Sequence, residues 1–260
     1  MTTSVKTTRR GAIFEIVLDR PKANAIDAAT SRAMGEAFAS FRDDPALRVA
    51  ILGGAGERFF STGWDLKAAA SGESVEADFG VGGFGGISEL PGLNKPVIAA
   101  VNGMAVGGGF EIVIATDMAI AAEHAEFFLS EVRMGVVPDA ACFRLPKQLP
   151  RPLAMELLLT GRRIGAKEAQ SLGLINRVVP GGQVMDAART MAEEVLKGAP
   201  LAVEAAKEII RMSEALSVAD CYRTMRGKGY PTFERLLVGE DIKEGPRAFA
   251  EKRDPVWTGR

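Results

Sequence analysis

Pro96-Val97-Ile98-Ala99-Ala100-Val101-Asn102-Gly103-Met104-Ala105-Val106-Gly107-Gly108-Gly109-Phe110-Glu111 is the stretch on which the reading of this chain turns. Pro96 to Val101 is a short, unbroken apolar run, the pattern of a strand covered on both faces. The glycines after it mark a turn, and Gly107 to Ala115 reads as the start of a helix. The same design occurs upstream. Val49 to Gly53 reads as a buried strand, and Phe60-Ser61-Thr62-Gly63-Trp64-Asp65-Leu66-Lys67 turns from it into another helix start. The first amides of a helix have no partner within it, and the helix dipole lies behind them. Two such turns facing each other would aim two N–H groups at one oxygen. That arrangement polarises a carbonyl and stabilises the enolate formed when the neighbouring carbon loses or gains a proton. Glycines at the turns let backbone approach a ligand closely.

Working outward, Gly11 to Leu18 reads as an apolar strand and Asp27 to Arg42 as an amphipathic helix with Asp27 as its N-cap. Met118 to Ala122 and Glu126 to Leu129 read as short strands. The strand-turn-helix rhythm indicates an α/β layer architecture. From Arg151 onward the pattern is helical: Pro152 to Leu159, Ala166 to Leu172, Gly182 to Leu196, Pro200 to Ala215, then helices from Val218 to Ala250. The expected organisation is a core over residues 1–198 and a helical segment over 199–260. Ala68 to Gly86 is small, glycine-rich and partly acidic, which suits either a disordered surface loop or an active-site lid.

Composition narrows the chemistry. The net charge of −1 supplies no basic field for nucleic acid or an anionic membrane, so neither partner is expected. Cys142 and Cys221 are too few for a disulfide scaffold and fit a reducing cytoplasm. Residues 1–10 lack an apolar signal core, so no export segment is expected, and no apolar run reaches membrane-spanning length. A single histidine, His124, leaves no basis for a multi-histidine metal site or a Ser-His-Asp device. No metal site is therefore expected, and the chemistry falls to carboxylates and backbone amides. Gly107-Gly108-Gly109 lacks dinucleotide-fingerprint spacing, and no Gly-Lys-Ser/Thr follows it, so nucleotide loops are not indicated.

Two carboxylates stand out. Glu111 lies just inside the helix opened by the triple glycine, and Glu131 follows the apolar run Phe127-Phe128-Leu129. Desolvation in such surroundings raises a carboxyl pKa and suits it to proton transfer near neutrality. The residues alone leave other roles open. Glu111 would also complement a helix dipole, and Glu131 would also pair with Arg133 or Arg144.

Taken together, these segments resemble the crotonase (enoyl-CoA hydratase/isomerase) superfamily. The resemblance is carried by Asp19-Arg20-Pro21-Lys22-Ala23-Asn24-Ala25, Phe60 to Lys67, Lys95 to Gly103, Gly107 to Glu111, Glu131 to Pro138 and Thr160-Gly161-Arg162-Arg163, in the family's order over nearly the whole chain. It implies a crotonase/ClpP-like right-handed spiral of ββα units with a C-terminal helical trimerisation region, assembled as a homotrimer or a dimer of trimers. It implies reversible addition of water to a 2-enoyl-CoA thioester, with no cofactor beyond the coenzyme A that the substrate carries. The backbone N–H groups of Trp64 and Gly108 would form the oxyanion hole. Glu111 would hold or activate the water, and Glu131 would exchange the α-carbon proton or share that water. Lys22, Ala23 and Ala25, with Asp65, Leu66, Lys67 and Pro138, would hold coenzyme A. Within the family, Gly63 to Ala70, Asp78 to Phe84 and Ala248 to Trp257 resemble the branch that dehydrates a trimethylammonium-bearing acyl-CoA.

One departure and several alternatives remain. Ala140 and Ala141 stand where the hydratase pattern has a glycine pair, and their methyl groups are expected to crowd the water or shift the helix. Trp64, Phe79 or Phe84 would present faces to a quaternary ammonium, with Asp78 or Glu89 as an acidic partner. Cys142 has no histidine partner and reads as packing. Double-bond isomerisation, general enoyl-CoA hydration and a non-catalytic CoA- or RNA-binding relative are the competing functions. A ClpP-like serine protease lacks its histidine context.

Overall fold

The computed structural model describes residues 4–260. Ten strands form two sheets. The larger runs β1 (Val5–Arg10), β2 (Ile13–Leu18), β3 (Val49–Gly54), β5 (Val97–Val101), β7 (Met118–Ala122), β10 (Arg177–Val179). The smaller runs β4 (Phe59–Ser61), β6 (Met104–Val106), β8 (Glu126–Phe128), β9 (Ile164–Gly165). Strands β2, β3, β5, β7 and β10 are mutually parallel, and β1 closes the edge as an antiparallel hairpin partner of β2.

The chain alternates between the sheets. β3 is followed by β4 and the helix α2 (Leu66–Ala70), β5 by β6 and α3 (Gly108–Ala115), and β7 by β8. Each turn thus lays one strand in each sheet and advances by one position, which is the ββα spiral that the family resemblance implies. The parallel strands are apolar throughout because both faces are covered: every residue of β5 and the first five of β3 are buried. α1 (Ala28–Asp43) packs its Met34, Phe38 and Phe41 side into this core, and Asp27 caps it by accepting the Thr30 N–H at 2.8 Å.

The short strands β4, β6, β9 and β10 eluded the periodicity, and so did two larger features. β1 has the sequence Val-Lys-Thr-Thr-Arg-Arg and is almost wholly exposed, so it carries no apolar signal and is fixed only by its pairing with β2. α4 (Asp139–Gln148) contains Pro146 and only three buried residues, which hid it as well. The helices α5 (Arg151–Thr160), α6 (Ala166–Ser171) and α7 (Val184–Leu196) follow.

The chain divides into two compact units: residues up to Leu93 with Val97–Ala192, and Asn94–Pro96 with Glu193–Arg260. The division falls inside α7, earlier than the turn at Gly198–Pro200. The buried residues of α7, namely Val184, Ala188, Met191 and Ala192, all belong to its first turns. The second unit contains α8 (Pro200–Ser213), α9 (Val218–Arg226), α10 (Pro231–Val238) and α11 (Asp241–Glu251). Its organising group is the buried carboxylate of Glu208, which accepts the Thr232 N–H at 2.8 Å and the Thr232 hydroxyl at 2.6 Å, and so caps α10.

In the first unit the corresponding group is Asn24. It is buried with a left-handed backbone (φ 51°). Its side-chain amide donates to the carbonyls of Ala55 (2.9 Å), Phe59 (3.1 Å) and Phe60 (3.1 Å), and its Oδ1 accepts the Arg20 N–H at 3.0 Å. It thereby fastens the loop after β2 to the strand that leads to Trp64. Asn24→Gly keeps the left-handed backbone and removes these bonds. It is expected to cost about 2–3 kcal/mol, seen as a fall of roughly 5–10 °C in the unfolding midpoint by scanning calorimetry.

Candidate active site

Trp64 and Gly108 are brought together by backbone geometry. Ile26 and Trp64 form an isolated parallel bridge, in which the Ile26 N–H donates to the Gly63 carbonyl (2.7 Å) and the Asp65 N–H to the Ile26 carbonyl (2.8 Å). A parallel bridge uses the groups flanking Trp64, so the N–H of Trp64 itself points the other way. On that side lies the start of α3. The Gly107 carbonyl accepts from Phe110 (2.8 Å) and Glu111 (3.0 Å), which leaves the Gly108 N–H free at the helix start. Neither amide donates to another part of the chain among the described residues. The two backbones almost touch: a β-carbon on Gly63, whose φ is 73°, would stand 2.6 Å from the Gly108 nitrogen. Only glycine at 63 permits this approach.

Both amide-bearing residues line a cavity of about 620 Å³, and so do Glu111 and Glu131. Glu111 is 6 % exposed on the first turn of α3, and its Oε1 accepts the Ala141 N–H at 2.8 Å. Burial pushes its carboxyl up to about 7, against the Ala141 hydrogen bond, with Glu131 and Asp139 adding to the rise. Glu131 opens a 3₁₀ turn, Glu131–Met134, and burial raises its pKa as well. Its Oε2 is buried with no hydrogen-bond partner among the described residues. The arginines that its sequence suggested as partners are engaged elsewhere: Arg133 donates to the Thr160 carbonyl and Arg144 to the Ser88 carbonyl. Glu131 presses against Gly107, where any β-carbon would collide with its carboxylate.

Ala140 and Ala141 are both buried in α4, and neither is among the residues lining the cavity. What reaches the site is the Ala141 amide, a group that alanine presents as well as glycine does. Cys142 is half-buried, and its thiol pKa is raised, first by burial, so it is no activated nucleophile. His124 is exposed and meets only the Glu57 carbonyl, at 3.0 Å.

The Ile26–Trp64 bridge also sets Lys22, Ala23 and Ala25 beside Asp65, Leu66 and Lys67. The Ala23 carbonyl accepts the Thr62 N–H at 3.1 Å, and Arg20 joins Asp27 (2.7 Å) to Asp65 (2.6 Å). Lys22, Leu66 and Lys67 are exposed. The Asp65 side chain is taken up by Arg20 and by the Lys67 N–H at the start of α2. None of the seven residues expected to hold coenzyme A, Pro138 included, lines the cavity; the six on these two strands of chain lie at the flank where Trp64 leaves it.

The glycine-rich segment 68–86 forms a wall of the cavity through Val75, Glu76, Ala77, Phe79 and Phe84. It is tied to α1 by Arg32, which donates to the Asp78 carbonyl at 2.5 Å, and by Ser31, whose hydroxyl accepts the Gly85 N–H at 3.1 Å. Its glycines permit the contact, since a β-carbon on Gly86 would run into the α1 backbone at Met34 and Gly35. Sequence reasoning missed Glu73. One of its oxygens accepts the Trp64 indole N–H at 3.0 Å and the other the Ala28 N–H at 3.0 Å, so it braces Trp64 against the first turn of α1. Only its place in an acidic loop nine residues after a tryptophan hinted at this.

The enoyl-CoA hydratase/isomerase family model matches residues 8–260. The chain belongs to that family. It is 56 % identical to the carnitinyl-CoA dehydratase of Proteus mirabilis over 261 residues and 57 % identical to that of Salmonella arizonae over 260, with all of both chains covered in each case. Among solved structures it resembles an enoyl-CoA hydratase from Mycobacterium tuberculosis (TM-score 0.89, 40 % identity, 99 % of this chain and 100 % of that one). An enoyl-CoA hydratase from Bacillus anthracis aligns with a TM-score of 0.90 at 33 % identity, again over 99 % and 100 %.

Two outcomes follow from this geometry. The folded pKa of Glu111 is raised, so the folded state is favoured below the unfolded value and loses that advantage as pH rises through about 7. Glu111→Gln removes the loss and is expected to be more stable than wild type by about 1–3 kcal/mol at pH 8, with little difference at pH 5, in denaturant titrations. Glu73→Ala frees the indole of Trp64. It is expected to lower kcat by roughly ten-fold, about 1.4 kcal/mol of transition-state stabilisation, with a red shift in tryptophan emission. Glu73→Gln, which keeps one acceptor, falls between.

Proposed function

We propose that this chain is a hydro-lyase that interconverts a 3-hydroxyacyl-CoA and its 2-enoyl-CoA, and that its pair is carnitinyl-CoA and crotonobetainyl-CoA. The observation that carries the reaction class is that two unpaired backbone amides and two buried carboxylates line one cavity. The acyl group is taken from the relatives at 56–57 % identity.

In this reading the thioester carbonyl accepts from the N–H groups of Trp64 and Gly108. In hydration, the oxygen of water bonds to the β-carbon as the α-β π bond breaks, and its electron pair moves through the α-carbon onto the thioester oxygen. The two amides stabilise that charge, and donors of this kind contribute about 10²–10³ in rate. The water gives up one proton to the glutamate pair as it adds, the pair delivers a proton to the α-carbon, and the thioester C=O π bond is restored. Dehydration is the reverse, with the β-hydroxyl leaving as water. Glu111 holds the water or protonates the departing hydroxyl, and Glu131 carries the α-proton or shares the water through its unpaired Oε2. A carboxyl near 7 suits that work because both its forms are populated at neutral pH.

The flank formed by Lys22, Ala23 and Ala25 with Asp65, Leu66 and Lys67 is proposed to hold coenzyme A, largely through backbone. Lys22 and Lys67 would meet phosphates as point charges. No further cofactor is required, and among the described residues no group of three or more His, Cys, Asp or Glu is placed to hold a metal ion. No helix among the described residues is long and apolar enough to cross a membrane. We place the enzyme in the cytoplasm as a trimer or dimer of trimers. Support for self-association comes from the helical unit, where Val218, Val238 and Phe249 are 74 %, 81 % and 88 % exposed.

Turnover of crotonobetainyl-CoA, crotonyl-CoA and longer enoyl-CoAs, followed at the enoyl chromophore, tests the reading. Glu111→Gln and Glu131→Gln are each expected to lower kcat by about 10²–10⁴. Gly108→Ala drives a methyl group into the Phe84 ring and is expected to abolish turnover. Unchanged turnover in both glutamine variants would remove the two-carboxylate mechanism. Double-bond migration without water addition would make the enzyme an isomerase.

A further inference from the structure

We propose that Glu89, together with the rings of Phe79 and Phe84, selects a quaternary ammonium at the end of the acyl chain, an inference that rests on the cavity being the acyl-CoA site. The starting point is the charge of the wall. Five carboxylates line the cavity, those of Glu76, Glu89, Glu111, Glu131 and Asp139, and no lysine or arginine does. A hydrocarbon acyl chain gains nothing from such a lining. Glu111 and Glu131 are accounted for by the reaction, and Asp139 accepts the Ala140 N–H at 2.7 Å. Glu76 and Glu89 have no such occupation, since neither exposed carboxylate has a hydrogen bond or an ion pair among the described residues; of the two, Glu89 is the one that packs against Gly83, next to Phe84. Arg144, which lies close in space to Ser88, turns its guanidinium to the Ser88 carbonyl at 2.7 Å and stays out of the lining.

The backbone is arranged to hold that carboxylate. Glu89 lies against Gly83, whose φ is 66°, and a β-carbon there would collide with the carboxylate. The Glu89 N–H donates to the Gly82 carbonyl at 2.9 Å, which closes the turn that carries it. Beside it, Phe79 and Phe84 meet edge to face with centroids 5.5 Å apart. The Phe84 ring also packs directly on Gly108, where any β-carbon would strike it. The aromatic pair therefore begins at the oxyanion hole itself.

Distance fixes the cation's place. In a carnitine-type acyl group the nitrogen lies four bonds from the thioester carbon, about 5 Å when extended. With the carbonyl oxygen on the Gly108 amide, the acyl chain starts beside the Phe84 ring, which packs on Gly108 and meets Phe79 at 5.5 Å. A trimethylammonium has no N–H to donate, so hydrogen bonding cannot recognise it. Ring faces and a nearby anion can, through diffuse electrostatic attraction.

The test compares crotonobetainyl-CoA with its neutral carbon isostere, 5,5-dimethylhex-2-enoyl-CoA, which has the same shape without the charge. The readout is the ratio of the two kcat/KM values. Wild type is expected to favour the cation. Glu89→Gln is expected to lower the ratio roughly ten-fold and Phe84→Leu roughly five-fold, the scale of one charge or one cation–π contact. Glu89→Lys should lower it further, and raised ionic strength should weaken the wild-type preference but not that of Glu89→Gln. A wild-type preference that survives in Glu89→Gln and Glu89→Lys would overturn the assignment of Glu89. Equal use of both substrates by wild type would overturn the cation selection while leaving the hydro-lyase intact. Turnover of the neutral isostere and crotonyl-CoA with none of crotonobetainyl-CoA would overturn the carnitinyl reading itself.

Discussion

The site depends on how closely two backbones approach each other. Gly63 and Gly108 lie so near that a β-carbon on the first would meet the nitrogen of the second at 2.6 Å. That contact places the last residue before Trp64 against the first residue of α3, and it fixes the direction of both free amides. It is made possible by parallel pairing. β4 and β6 are neighbours in the smaller sheet, and Ile26 extends the pairing by one bridge at Trp64. Backbone donors held in this way need no reorganisation when charge appears on a bound oxygen. The rest of the first unit can be understood as support for that contact: the core strands carry it, Asn24 fastens the incoming loop, and Glu73 holds the indole.

The carboxylates work against this support. Glu111 is buried and pushed up to about 7, so at neutral pH the fold retains a group that it would accommodate more easily uncharged. The Ala141 N–H offsets part of that cost from the start of α4, another helix terminus with an amide to spare. Glu131 is held less completely, since one of its oxygens is buried and unpaired. Groups of this kind lower stability locally and mark candidate functional sites. The chain tolerates them beside a core that is apolar from β3 to β7.

Much of this was legible in the sequence, for identifiable reasons. β3, β5 and β7 announce themselves because strands covered on both faces must be continuously apolar. The glycine turns announce themselves because close approach and positive φ leave glycine as the fitting residue at 63 and 107. Glu111 and Glu131 could be singled out as acids in apolar surroundings, while their convergence on one site came from the family resemblance and not from the residues alone. What was hidden lacked a periodic signal. β1 is polar and exists through pairing, and α4 is interrupted by a proline. Glu73 looks like any loop acid until its two partners, 9 and 45 residues away, are known. The alanine pair shows a related limit. Sequence shows side chains, and at 141 the working group is the main-chain amide.

The glycine-rich segment 68–86 shows how composition and function join. Read as composition it resembles flexible chain, yet its glycines are there to bring backbone against backbone at Gly86 and Gly35 and backbone against carboxylate at Gly83 and Glu89. A loop pinned in this way can carry Phe84, with Phe79 against it, up to Gly108, where bulkier residues along the loop would hold them off. The two free amides and the two buried acids belong to the turn after β4, to α3 and to the 3₁₀ turn after β8. The aromatic and acidic corner belongs to the loop. On the proposed reading, reaction type and substrate choice would reside on different elements, and a change in the loop would leave the contact between Gly63 and Gly108 in place.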